Sequence, residues 1–204
     1  RDAALEQLKT NAALLTAVLL PSVVGLWLVT DILVDLAVAE TYREVTRSIL
    51  GLAAFGGMVR AYHAHATGQM LTLDRRYGLL IIVGLFEIVA TAGLAVVGFN
   101  MNYLVGVVLG ALIASGLTLA FSATLAIRLC GFRFPVADTL RIALATAVMG
   151  GVVYAIDWPH TALGLVGATL IGGLSYVMAL AAVYYRRLPP LVGLITEKFA
   201  GTRP

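Results

Sequence analysis

Long apolar runs separated by short polar breaks dominate the chain. Each run approaches or exceeds the roughly 20 helical residues that cross a hydrocarbon core of about 30 Å. The six runs cover residues 12–37, 45–72, 77–98, 102–127, 139–156 and 161–184. Continuous apolarity over these lengths excludes strands. The breaks between runs are short, so the pattern predicts an all-α, polytopic membrane helix bundle with six transmembrane helices, each antiparallel to its predecessor.

Composition agrees with a membrane protein and excludes several other classes. Hydrophobic residues make up 60% of the chain and charged residues 12%, far from the mixture of a soluble domain. Mean hydropathy is +0.95. No basic patch interleaved with aromatic residues supports nucleic-acid binding. The single cysteine, Cys130, has no metal-ligand spacing and is interpreted as an inert thiol.

The distribution of basic residues predicts the orientation, because retained loops collect lysine and arginine on the cytoplasmic side. One side holds Arg43 and Arg47 with Glu40 and Glu44. The other side holds most of the cations: Arg1, Lys9, Arg75, Arg76, Arg128, Arg133, Arg141, Arg186, Arg187, Lys198 and Arg203. Both termini are therefore expected in the cytoplasm. The chain begins with Arg1 and an amphipathic run, not with a signal peptide, which suggests a piece of a longer protein.

The first predicted helix contains Pro21, which should kink it, and two acidic residues near its outer end. Asp31 and Asp35 are four residues apart and share one face. Two interpretations are open. The carboxylates either form a solvated helix end balanced by Arg43 or Arg47, or they bind a cation.

The second predicted helix carries charges at a depth where lipid normally allows none. Arg60, His63 and Thr67 share one face, whereas His65 points elsewhere and is not expected to form a metal site with His63. Glu87, near the centre of the third helix, lies at a depth matching Arg60, and we expect the two to pair. The pair is either a structural bridge that fixes helix register or a site where a substrate anion or a proton competes for Arg60.

Small residues predict packing faces on the fourth and sixth helices. They recur every fourth residue, at Gly106, Gly110 and Ala114 and again at Gly164, Ala168 and Gly172. Tyr184 to Arg187 form an aromatic and basic anchor at the cytoplasmic interface. The tail from residue 191 is amphipathic and is expected to lie along the membrane surface.

Catalytic constellations are absent from the sequence. There is no GxSxG, HExxH or Walker motif, so no enzyme activity, catalytic residue, metal or cofactor is predicted. His63 with Glu87 is the one pair that could serve an intramembrane hydrolase.

Several stretches, in their order and spacing, resemble the multidrug, oligosaccharidyl-lipid and polysaccharide flippase superfamily, in its polysaccharide-transporter and O-antigen flippase branch. The first is the lead-in DAALEQLKTNAALLTAVLLPSVVGL, with its early helical proline. The others are AETY at 39–42, where the family usually has a glycine, GQML at 68–71 followed by DRR at 74–76, and NMNYL at 100–104 leading into Gly106 and Gly110.

This resemblance covers essentially the whole chain. It implies the C-terminal part of a fourteen-helix transporter of the bacterial inner membrane, from the ninth helix to the last. Residues 1–130 would be four helices of the second lobe, and residues 131–204 an appended helix pair with a cytoplasmic tail. The partners implied are a lipid-linked oligosaccharide, the bilayer, the missing N-terminal lobe and polysaccharide polymerase or assembly proteins. Because most of the cavity would lie in the missing part, the fragment alone should not transport.

The function expected from this resemblance is outward translocation of an O-antigen or exopolysaccharide precursor by alternating access. Arg60 and His63 are the expected substrate-binding residues, and Glu87 and Asp31 the expected ion-coupling residues. Two alternatives remain. One is a cation-coupled drug antiporter, and the other is a non-transporting membrane subunit or enzyme of cell-envelope assembly.

Overall fold

A computed structural model describes residues 2–131 and 134–185, and within these ranges the chain is helical with no strand. The helices are α1 (Asp2–Leu28), α2 (Thr30–Ala37), α3 (Glu40–Tyr62), α4 (Gly68–Leu73), α5 (Tyr77–Cys130), α6 (Val136–Tyr154) and α7 (Ala162–Tyr184). A π-helical segment, His63–Thr67, joins α3 to α4. The all-α prediction is confirmed for this part of the chain.

Four of the described helices are long and apolar enough to cross a membrane. The segments are Leu5–Leu28 within α1, the 54-residue α5, α6 and α7. Helix α3 is less apolar, because its first turns carry charges that include Glu40, Arg43 and Arg47 and its end carries Arg60. Length and composition alone therefore mark four candidate membrane helices.

The first two predicted spans are interrupted at points that apolarity does not reveal. Helix α1 continues through Pro21 to Leu28, and α2 begins after Val29, whose ψ of 7° departs from helical geometry. The predicted second span, 45–72, instead comprises most of α3, the π-helical segment and most of α4. In the π-helical segment the Gly68 N–H bonds to the His63 carbonyl, five residues back.

Helix α5 is a hairpin of two helical arms, residues 77–101 and 104–130. The backbone leaves helical geometry at Asn102 and at Tyr103, whose φ is 41°. A Cβ atom added to Gly98 would overlap the carbonyl oxygen of Gly106, so the arms touch backbone to backbone beside the turn. The sequence predicts a break between the runs that end at residue 98 and begin at residue 102. The reversal comes slightly later, at Asn102 and Tyr103, because Gly98 belongs to the packing face of the first arm.

The helices pack in a consistent order. Helix α7 packs against α6, α6 against α1, α1 against α3, and α3 against α5. The predicted small-residue faces are confirmed. Gly106 and Gly110 are buried against the first arm of α5, and buried Gly172 contacts Val153 and Met149 of α6. The expected basic anchor beyond Tyr185 and the amphipathic tail lie outside the described residues.

Candidate functional site

A polar seam runs between α3 with its π-helical extension and the second arm of α5. We define it as Arg60, His63, Thr67, Ser115 and Ser122. The Nδ1 atom of His63 lies 2.9 Å from the hydroxyl of Ser122, and the hydroxyl of Thr67 lies 2.7 Å from that same oxygen. Arg60 Nη1 donates to the Ser115 hydroxyl at 3.4 Å. The three residues predicted to share a face therefore all point to one neighbouring helix.

The register of the seam follows from two contacts with the same spacing. Arg60 and Ser115 are 55 residues apart, as are Thr67 and Ser122. A constant offset means that α3 and the second arm of α5 run parallel. Small residues permit the approach, since a Cβ on Gly56 would lie 4.0 Å from the Cα of Leu112. The first arm of α5 then runs antiparallel to both.

The expected pairing of Arg60 with Glu87 is wrong. In the hairpin, Phe86 stacks against Phe121 with ring centroids 5.4 Å apart, and Leu94 lies beside Gly110. This register puts Glu87 level with residues 117–120 of the second arm, and hence with residues 62–65 of the parallel α3. The glutamate therefore faces His63, close to one turn beyond Arg60.

Glu87, on the first arm of α5, is the acidic partner of His63. His63 Nε2 lies 3.9 Å from Glu87 Oε2, and the side chains keep 15% and 29% of their accessible surface. At 3.9 Å the pair is an electrostatic contact without a hydrogen bond, and it is ionic when the imidazole is protonated. The other ring nitrogen is held by Ser122, which fixes the orientation of the imidazole.

Arg60 has no carboxylate partner among the described residues. Its one side-chain hydrogen bond is the 3.4 Å contact with Ser115, and the residue is exposed on the surface of the described helices. The guanidinium carries five donors in a planar fork, so most of its hydrogen-bonding capacity is unused. The remaining N–H donors can form a bidentate contact with a planar or tetrahedral anion.

The two histidines of the π-helical segment have different surroundings. His63 is partly buried against Ser122, whereas His65 is exposed. The His63 carbonyl accepts both the Gly68 N–H and the Thr67 hydroxyl. The expectation that His65 faces elsewhere is confirmed. No group of three or more potential metal ligands occurs among the described residues.

A second charged group, the outer cluster, lies where α2 meets α3. We define it as Asp31, Asp35, Arg43, Arg47 and His160. Arg47 Nε lies 3.2 Å from Asp31 and Arg47 Nη2 pairs with Asp35, so the predicted balance of the carboxylates by an arginine is confirmed. His160 Nδ1 lies 2.6 Å from Asp35 Oδ2. This hydrogen bond, aided by Arg47 and Arg43, lowers the pKa of Asp35 despite the desolvation that raises it.

The sequence-predicted site residues therefore divide between two places. His63 of the seam contacts Glu87, and Arg60 lies about one helical turn away in the same seam. Asp31 instead pairs with Arg47 in the outer cluster. Sequence reasoning missed Ser115, Ser122 and His160. The spacing of Ser115, Thr118 and Ser122 at i, i+3 and i+7 was a usable signal for the first two. His160 had none, because its contact with Asp35 spans 125 residues.

Comparison with known proteins found no matching protein-family model, no matching curated protein and no matching solved structure. The class that the fold and the seam define is an all-helical protein with several helices able to cross a membrane and with ionisable side chains between two of its helices.

Proposed function

We propose that the chain is the C-terminal part of a bacterial inner-membrane flippase that moves a lipid-linked oligosaccharide, an O-antigen or exopolysaccharide precursor, by alternating access. The observation that carries the proposal is the exposed guanidinium of Arg60, which has no carboxylate partner among the described residues. Helix α3 is one of the proposed membrane crossings, and a cation near the middle of a crossing costs at least about 2.5 to 3.5 kcal/mol, which an anionic ligand would offset. The pyrophosphate of a lipid-linked sugar is such a ligand.

The chemistry of the seam supports phosphate as the ligand of Arg60. A guanidinium binds phosphate through two parallel N–H donors, and the long contact with Ser115 is easily exchanged for such a pair. His63 stands one turn further along α3 and its protonated form would add a second donor. Ser115 would then act as a resting partner for Arg60 when no substrate is bound.

In the proposed topology the chain crosses the membrane six times, with both termini in the cytoplasm. The crossings are α1, α3, the two arms of α5, α6 and α7. The distribution of arginine and lysine supports this orientation, because Arg75, Arg76 and Arg128 fall at the end opposite to Arg43 and Arg47. The exposed side of Arg60 would face a cavity completed by an N-terminal lobe of the same protein, and polymerase or assembly proteins would receive the product.

Genetic complementation tests the proposal. The full-length gene should restore surface polysaccharide in a strain that lacks its O-antigen or exopolysaccharide flippase. Arg60→Ala should reduce that rescue at least about tenfold at equal protein level, since it removes one charge-assisted contact. Arg128→Ala is the matched control, because Arg128 is exposed near the end of α5. Failure of the intact gene, or full rescue by Arg60→Ala, would contradict the proposal.

The His63 and Glu87 contact favours a second candidate, a cation-coupled drug antiporter. A carboxylate 3.9 Å from an imidazole within an apolar bundle is suited to exchange a proton during a transport cycle. Under this alternative, expression of the full-length gene would raise the resistance of a drug-sensitive strain, Glu87→Gln would abolish that resistance, and polysaccharide complementation would fail.

A further inference from the structure

A small polar hollow with an aromatic wall lies where α1 meets α2, against residues 47–52 of α3. Its volume is about 160 Å³. It is lined by Trp27, Thr30, Asp31, Arg47, Ser48, Gly51 and Leu52. The hollow is separate from the seam, because its charged residues belong to the outer cluster. Its size suits one ring and not an extended ligand, since pockets for drug-sized molecules start at about 300 Å³.

Trp27 supplies the wall of the hollow. The side of the indole around its ring fusion packs against Gly51, where an added Cβ would lie 3.4 Å from Cδ2. The residue nevertheless remains 62% exposed. Its indole N–H has no hydrogen-bond partner among the described residues. An exposed aromatic surface of this kind can pack against the C–H groups on one face of a saturated ring, and the indole N–H can donate to a hydroxyl.

The polar side of the hollow can bind hydroxyl groups. The side chain of Asp31 is 69% exposed. Arg47 contacts the Oδ1 atom of Asp31, so the second carboxylate oxygen of Asp31 can accept hydrogen bonds. The Ser48 hydroxyl donates to the Val45 carbonyl and keeps its acceptor capacity. The indole of Trp27 is thus surrounded by a hydrogen-bond donor, Arg47, and by acceptors on Asp31 and Ser48.

The charges of the outer cluster argue against an ionic ligand. Asp31 and Asp35 balance Arg43 and Arg47, so the formal charges of these four side chains sum to zero. Asp31 would repel a free anion, and Arg47 would repel a free cation. A neutral ring that carries many hydroxyl groups has neither conflict, because each hydroxyl can donate to a carboxylate and accept from a guanidinium or an indole.

We propose that the hollow between Trp27, Asp31 and Arg47 is a binding subsite for one neutral sugar ring. The sugar would rest against the indole, donate a hydroxyl hydrogen bond to Asp31 and accept from Arg47. This inference rests on the proposed function for its biological role, as a contact of the oligosaccharide on the outer side of the membrane. Interfacial tryptophans that serve only as membrane anchors need no such polar hollow.

The presence of two tryptophans, Trp27 and Trp158, allows a test with an internal control. The chain is labelled with 5-fluorotryptophan, placed in lipid nanodiscs and titrated with N-acetylglucosamine, glucose and galactose while ¹⁹F NMR is recorded. Trp27→Phe assigns the two resonances. At least one sugar should shift the Trp27 resonance saturably. The Trp158 resonance should stay unchanged, since that indole donates to the Val153 carbonyl and packs near Gly167.

Two variants and one control locate the binding. Asp31→Asn should weaken the half-saturation about tenfold, as expected for loss of one hydrogen bond to a charged group. Ser48→Leu places an apolar side chain in the hollow, keeps both Asp31 and Arg47, and should abolish the shift. Glu6→Gln, at an exposed carboxylate near the start of α1 and far from both tryptophans in the sequence, should have no effect. The unchanged Trp158 signal verifies folding of each variant.

Three outcomes would overturn the subsite. These are no shift with any of the three sugars, an equal shift of both resonances, and a shift that survives Ser48→Leu. A saturable shift with ethanolamine and none with sugars would assign the hollow to a lipid headgroup and would also overturn the proposal. Sugar binding without polysaccharide complementation would reject the flippase and support the subsite. Complementation without sugar binding would support the flippase and reject the subsite.

Discussion

At the scale of single residues, the partner of a charged side chain depends on helix register to within one turn. Arg60 and Glu87 both lie near the middle of apolar runs, which made them natural partners in the sequence. The hairpin and the parallel packing of α3 shift Glu87 towards His63 and leave Arg60 with Ser115. Because one turn of helix rises about 5.4 Å, an error of one turn is enough to exchange salt-bridge partners.

Ser122 is the residue whose loss should disturb the seam most. It is fully buried, and its hydroxyl contacts both the His63 ring and the Thr67 hydroxyl. We expect Ser122→Ala to lower the free energy of unfolding by about 1 kcal/mol, because two polar groups lose a shared partner. Unfolding titrations with dodecyl sulfate in mixed micelles would measure the change.

Ser175→Ala is the matched control for Ser122→Ala. The Ser175 hydroxyl donates only to the Gly172 carbonyl of its own helix. Its removal should change the free energy of unfolding by less than about 0.5 kcal/mol. Equal effects of the two substitutions would show that the seam contributes no stability of its own.

At the scale of elements, α5 depends on glycine for its close packing. Gly98 and Gly106 touch near the turn, and Gly110 lies against Leu94 further down the arms. No side chain can be inserted at these positions without separating the backbones. The turn itself requires a positive φ at Tyr103, a conformation that L-residues with bulky side chains rarely adopt.

Gly98→Ala should destabilise the hairpin. The new Cβ would overlap the Gly106 carbonyl, so the arms must separate, and we expect a loss of about 1 to 3 kcal/mol in the same unfolding titration. Gly93→Ala is the control on the same arm, since no atom lies within 4 Å of its added Cβ. Gly93→Ala should be neutral or slightly stabilising, because alanine favours helix. A Gly98→Ala protein as stable as Gly93→Ala would refute the close approach.

At the scale of the whole molecule, the outer cluster joins parts that are distant in sequence. The His160 contact with Asp35 links the connection between α6 and α7 to the end of α2. Further along α7, the Tyr176 hydroxyl donates to the Ala17 carbonyl of α1 at 2.7 Å. These contacts place the pair against α1 and α2.

Cysteine labelling tests the proposed orientation of the whole chain. In a Cys130→Ala background, Glu44→Cys should react with a membrane-impermeant maleimide in intact spheroplasts. Arg75→Cys should react only after the membrane is permeabilised, because the basic end is expected in the cytoplasm. Both positions are exposed, so accessibility within the protein does not bias the comparison. The reverse labelling pattern would show that the chain has the opposite orientation. Labelling of both cysteines before permeabilisation would contradict the proposed topology.

The sequence by itself determined the helical class, the small-residue packing faces and the side chains that carry charge into apolar helices. These features depend on local composition and helical periodicity, which the chain displays directly. Only the tertiary structure decided that Glu87 meets His63, that the reversal comes at Tyr103 and that His160 joins Asp35. Each depends on the register between helices or on contacts across long stretches of chain. Glycine contacts and backbone geometry set that register within a few ångströms, a detail that apolar periodicity does not encode.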